Sequence, residues 1–91
     1  MSGVFWVETA ELARDRALEY IAQHSLDAAL AQYDEIDRQI QRLLRFPHLG
    51  RPSRVKGARE LSINRTNFIV IYRLIGDNIQ VVRFVHTAQR R

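Results

Sequence analysis

The chain has no cysteine and, in 91 residues, only one lysine, one tryptophan, two prolines and four glycines. Without cysteine there is no disulfide framework and no thiolate metal site, and a reducing, cytoplasmic setting is the expectation. The three histidines, His24, His48 and His86, are scattered. No metal set is therefore expected, and no cofactor. No apolar run approaches the length that spans a bilayer, so no membrane partner is expected. The start, MSGVFWVETAEL, lacks the basic and apolar regions of a secretory signal. The composition, 46% hydrophobic and 26% charged, suits a folded domain and excludes intrinsic disorder. At this length one domain, residues 1–91, is expected.

The charge is divided unequally. Residues 1–44 carry four basic and eight acidic side chains, a net −4, and residues 45–91 carry ten basic and two acidic, a net +8. All the basic residues but Lys56 are arginine, whose planar fork matches phosphate and carboxylate. Arg51, Arg54, Lys56, Arg59 and Arg65 are candidates for contact with nucleic acid or an acidic partner. A solvated basic face is the competing reading.

Hydrophobic periodicity places the elements. Val4 to Val7 is a short apolar run that reads as a buried strand, with Trp6 in the core. Thr9 is a candidate N-cap for a helix from Ala10 to about His24, with Leu12, Ala13, Ala17, Tyr20 and Ile21 on one side. Ser25 can cap a second helix, Leu26 to about Arg45. Its stripe of Leu26, Leu30, Tyr33, Ile36, Ile40 and Leu43 follows helical spacing. The carboxylates Asp34, Glu35 and Asp37 lie beside Arg38 and Arg42 and read as a solvated ion-pair face. Pro47, Gly50 and Pro52 then stop the helix.

Three strands follow. In Arg59–Asn64, Leu61 and Ile63 share a face with Arg59, opposite Glu60 and Ser62. Asn67–Ile75 is apolar on both faces apart from Arg73, as in a central strand. Ile79–His86 is the last strand, and Thr87–Arg91 a short basic end. The order β-α-α-β-β-β predicts an α+β fold, a helical hairpin on one face of a mostly antiparallel four-stranded sheet. The uncovered face, through Ile69, Ile71, Val81 and Val85 or their neighbours, is expected to need a partner's cover.

The ordered set Pro47-x-x-Gly50-Arg51-Pro52, Val55-x-Gly57-x-Arg59-Glu60-Leu61, Phe68-Ile69-Val70-x-Tyr72-Arg73 and Val81-x-Arg83-x-Val85-His86-x-Ala88-Gln89 resembles the RelE/ParE superfamily of toxins of type II toxin–antitoxin modules. The resemblance covers nearly the whole chain and implies the same β-α-α-β-β-β fold. It also implies a cognate antitoxin whose C-terminal segment wraps the toxin in a hetero-oligomer. In the RelE-like branch, the target is mRNA on the ribosome, cut without a metal. There Glu60 would be the base, His86 the acid, and Arg73 or Arg83 the phosphate clamp. In the ParE-like branch the target is DNA gyrase. The single Lys56 and the Thr-Ala-Gln-Arg-Arg end, with no aromatic residue or second histidine, depart from the ribosome-dependent members, while Arg59-Glu60-Leu61 and His86-x-x-Gln89 resemble the ParE-type and plasmid-stabilisation members, and gyrase inhibition is the expected activity. An mRNA endonuclease is the alternative, and an inactive antitoxin-binding module the second alternative. For Glu60 and His86 the competing structural readings are an exposed strand Glu paired with a neighbouring Arg, and a hydrogen-bonded strand-end His.

Overall fold

The computed structural model describes residues 2–90, and for Gln89 and Arg90 the backbone alone. Arg91, part of the expected basic end, lies outside the described residues. The elements are β1 (Val4–Trp6), α1 (Glu8–Ala22), α2 (Leu26–Gln41), β2 (Arg51–Pro52), β3 (Arg59–Ser62), β4 (Phe68–Ile75) and β5 (Asn78–His86), with 3-10 turns at Arg42–Leu44 and Thr87–Arg90.

The fold is the expected α+β arrangement, with a correction to the sheet. It has five strands rather than four, ordered β1-β5-β4-β3-β2. The added strand, β2, is two residues long and pairs antiparallel with β3, Arg51 opposite Glu60 and Pro52 opposite Arg59. Proline at an edge costs no ladder bond because its missing donor faces outward. β1 pairs with β5 in parallel, and the remaining pairings are antiparallel.

α1 starts earlier than the sequence reading placed it. Val7, not Thr9, is the N-cap and gives no side-chain bond. Ser25 does cap α2, its Oγ accepting from the Ala28 N–H at 3.1 Å. α2 ends at Gln41 and tightens into the 3-10 turn before Pro47. Its buried face is Ala29, Ile36, Gln39 and Ile40, followed by Leu43. Leu26, Leu30 and Tyr33, expected within that stripe, are exposed on the outside of the hairpin instead. Arg38 pairs with Glu35 rather than Asp34, and this ion-paired bond lowers the Glu35 pKa from its usual value.

The core lies between the hairpin and one sheet face, among Ile36, Ile40, Leu43, Ile63, Val70 and Tyr72. Trp6 packs against it, 6.1 Å from the Phe84 ring, with the Arg14 guanidinium 4.6 Å from the Trp6 ring. Gln39 ties α2 to the β3–β4 turn. Its amide donates to the Asn64 carbonyl at 3.0 Å and accepts from the Asn64 N–H at 2.8 Å. These two bonds satisfy a buried side chain with a reciprocal pair, as a strand would.

One irregularity in the sheet governs the site. Along β4–β5, Ile71 lies opposite Arg83 while Tyr72 lies opposite Val81. Val82 is therefore the extra residue of a β-bulge. A bulge breaks the two-residue alternation. Ile79 and Val81 point to the helix side before it, and Phe84 does so after it.

Candidate functional site

The loop between α2 and β3 is held to the sheet by the residues that the sequence motifs share. Tyr72 is buried within the core, and its hydroxyl donates to the Pro47 carbonyl at 2.8 Å and accepts from the Gly50 N–H at 3.0 Å. Burial raises the Tyr72 pKa above its usual value. Gly50 is glycine for lack of space. A Cβ there would stand 2.6 Å from the Glu60 carbonyl oxygen and 2.7 Å from the Tyr72 hydroxyl. Arg59 donates to the Gly50 carbonyl at 2.6 Å. Gly57, by contrast, needs its residue type for conformation, with φ at +77°.

On the face away from the helices, Arg51, Glu60, Ile71 and Arg83 form one cross-strand row. Arg51 Nε donates to Glu60 Oε1 at 2.7 Å. Glu60 is on the face the alternation assigned it, but it is buried, 8% exposed, rather than exposed. It is paired with a neighbouring arginine, as the structural reading held. Arg73 shares this face one step along β4. Its Nη2 donates to the Lys56 carbonyl at 3.4 Å, while its buried Nε has no partner. Arg83 is exposed, as are Arg54 and Lys56 in the loop before β3.

His86 is not with them. It lies opposite Phe68, on the helix side of the sheet, with the two rings edge-on at 5.7 Å. Its Nδ1 accepts from the Ala88 N–H at 3.2 Å. The set Glu60, Arg73, Arg83 and His86 is thus divided by the sheet, the first three on one face and the last on the other. Alternation along β5 separates Arg83 from His86, three residues apart, and the Val82 bulge decides which face each takes, turning Phe84 and His86 toward the helix side and Arg83 away from it. The basic set is divided as well. Arg59 is committed to Gly50, and Arg65, in the β3–β4 turn at φ +69°, lies against α2 in a depression with Glu35 and Arg38.

A groove of about 650 Å³ opens where α1 meets the ends of β4 and β5. Ala13, Ala17 and Ile21 form its helical wall, and Phe68, Phe84 and His86 its sheet wall. Sequence reading did not find it. Two alanines one turn apart look like ordinary helix, and nothing in Val81-Val82-Arg83 announces a bulge.

The expected need for a cover over the open sheet face is also corrected. Ile69 and Ile71 are 3% and 8% exposed within the chain itself, and Val81 belongs to the helix-side core. Apolar side chains are left exposed on the hairpin (Leu26, Leu30, Tyr33), in the loop after α2 (Phe46, Leu49) and at the sheet's end (Phe5, Leu74, Ile75). Among the described residues, no group of three or more His, Cys, Asp or Glu is arranged to hold a metal ion. Nor, among the described residues, is any helix long and apolar enough to cross a membrane.

The family model described as ParE toxin of type II toxin-antitoxin system, parDE, matches residues 4–91. The chain belongs to the ParE toxin family. The motif residues that bind the loop to the sheet, Gly50, Arg51, Arg59, Glu60 and Tyr72, all fall within the matched span. A solved structure titled "Chromosomal ParDE TA system from P. aeruginosa" contains a chain similar to this one at a TM-score of 0.80 and 28% identity, with 94% of this chain and 96% of that chain covered. "Putative toxin Y4kP" of Sinorhizobium fredii is 29% identical over 85 residues, 93% of this chain and 88% of that protein. Within the RelE/ParE superfamily, the ParE-like branch is the one these likenesses reach.

Proposed function

We propose that this ParE-family chain is the toxin half of a two-component module, arresting growth by inhibiting DNA gyrase and neutralised by a cognate antitoxin. The observation that carries the reading is the family match across residues 4–91. The antitoxin follows from the ParDE title of the similar structure, a two-component system. The sheet geometry supports gyrase inhibition over mRNA cleavage. A metal-free nuclease needs its acid, base and phosphate clamp around one scissile bond, and here His86 lies across the sheet from Glu60, Arg73 and Arg83. Glu60 is further committed to Arg51.

The open face then serves as a binding surface. Exposed Arg83 and half-buried Arg73, the latter bonded to the Lys56 carbonyl, give that face a cationic character suited to carboxylates on a protein target.

Two assays on cells arrested by the toxin separate the readings. Chromosomal DNA carrying trapped gyrase breaks, with translated mRNA intact, is the expected result. New mRNA 5′ ends by primer extension, abolished in His86→Ala, would replace gyrase inhibition with the endonuclease reading. Expression without growth arrest would leave only an antitoxin-binding module.

A further inference from the structure

We infer that the turn from Phe46 to Leu49 is the anchor by which this chain grips gyrase, seating its two apolar side chains in an apolar recess rimmed by carboxylates. The inference rests on the gyrase reading above, and it adds the contact surface and the chemistry that surface meets.

The turn is built to hold still. The Phe46 N–H donates to the Arg42 carbonyl at 2.9 Å, and the Leu49 N–H donates to the Phe46 carbonyl at 3.0 Å. The second bond closes a four-residue turn, whose ends stand less than about 7 Å apart. Phe46 and Leu49 are those ends. Pro47, second in the turn, fixes one backbone angle, and its carbonyl accepts from the buried Tyr72 hydroxyl. Gly50, next in the chain, is bonded to the same hydroxyl and to Arg59. All this fastening leaves Phe46 and Leu49 in solvent, 52% and 46% exposed. Side chains held out by a fixed backbone have little freedom left to lose on binding.

Charge selects the occupant. The Arg45 guanidinium lies 5.8 Å from the Phe46 ring, and Arg42, His48 and Arg51 are exposed on the same segment. No Asp or Glu occurs between Asp37 and Glu60, and Glu60 is bonded to Arg51. An aromatic side chain beside arginines is the composition of a protein interface, and carboxylates are its complement. The alternatives fit less well. Duplex DNA is held chiefly through its phosphates, for which the arginines alone suffice. A lipid surface needs more buried apolar area than two side chains supply. An antitoxin segment that wraps the chain is taken up in a cleft rather than on an exposed turn. A second copy could offer its exposed Leu26, Leu30 and Tyr33. That contact joins two different surfaces and would propagate unless its rotation closed a ring.

The test is a supercoiling titration of purified gyrase with the full toxin chain. Phe46→Ala and Leu49→Ala remove the anchors one at a time, Arg45→Glu reverses the adjoining charge, and Leu30→Ala removes an exposed leucine from the hairpin. Thermal melts confirm that each variant is folded. The expected result is a rise of about tenfold or more in the toxin concentration that halves supercoiling for the three turn variants, and none for Leu30→Ala. Wild-type inhibition that all three turn variants retain would overturn the turn assignment and leave the gyrase reading standing. No wild-type inhibition would overturn both. The same variants are titrated, without gyrase, against a labelled DNA duplex, phosphatidylglycerol vesicles and the antitoxin expressed from the adjoining reading frame. Wild-type binding to one of these that the turn variants lose would give the turn to that partner and overturn the inference. A toxin that is oligomeric alone and monomeric as Phe46→Ala would give the turn to a second copy, with the same consequence.

Discussion

The Tyr72 hydroxyl and the Gly50 backbone meet at 3.0 Å, close enough that no other residue type fits at position 50 without displacing one of them. The contact joins a central strand to the loop that follows α2, and with it positions Arg51 over Glu60. Much of the family's motif pattern in this stretch is therefore the signature of a fastened loop.

Removing the hydroxyl tests the fastening. Tyr72→Phe orphans the buried Gly50 N–H and the Pro47 carbonyl, and should cost about 1–3 kcal/mol. For a chain of this size, each kcal/mol lowers the melting temperature by roughly 4–8 °C. Thermal and denaturant melts measure both. An unchanged midpoint would mean that the bond is not made in solution.

The same burial sets a pH dependence. The folded-state pKa of Tyr72 is raised above the unfolded value of 10.0, so the unfolded chain loses this proton first. The stability Tyr72 contributes is present below about pH 10 and is lost as pH rises from there through the folded pKa. Denaturant midpoints should fall more steeply above pH 10 in the wild type than in Tyr72→Phe. Equal slopes would contradict the assigned environment.

Gly50→Ala should destabilise through space rather than backbone conformation. The new Cβ meets a backbone carbonyl and a sealed ring, neither of which can swing away. Overpacking of this kind costs about 1–3 kcal/mol. Alanine at Gly3, where the nearest atoms stand 3.5 Å away, is the comparison and should be close to neutral.

Gln39→Ala breaks the reciprocal amide pair with Asn64. Water can reach the exposed Asn64 in part, so the expected cost is about 1–2 kcal/mol. The more specific readout is hydrogen exchange, in which the Asn64 amide should lose protection more than amides in β4. Unchanged protection there would mean that the turn is held by its own bonds, among them the Thr66 hydroxyl to the Ile63 carbonyl at 2.8 Å and the Ile63 N–H to the Phe68 carbonyl at 2.9 Å, without Gln39.

The features legible in the sequence were those with local causes. Ser25 caps α2 because a hydroxyl three residues ahead of an N–H needs no tertiary help. Phe68 to Tyr72 read as a central strand because both parities are apolar. The α2 stripe misled because Leu26, Leu30 and Tyr33 share a helical spacing with the buried set, yet in the first half of α2 it is small Ala29 that is buried. Glu60 shows a different limit: alternation gave its face correctly, but burial depended on β2 and Arg51 alongside it. That Arg83 and His86 take opposite faces follows from their spacing of three, but which face each takes was illegible, since Val82 bulges without a glycine to mark it. Gln39, a polar residue facing the core, finds its partner 25 positions away, beyond the reach of any periodicity.

The central claim is a protein target reached without nuclease chemistry, and a gyrase supercoiling titration with purified toxin tests it most directly. The account predicts that stoichiometric toxin blocks supercoiling or traps cleaved DNA, that His86→Ala does so equally, and that added antitoxin relieves the effect. Unimpaired supercoiling and cleavage at stoichiometric toxin would contradict it.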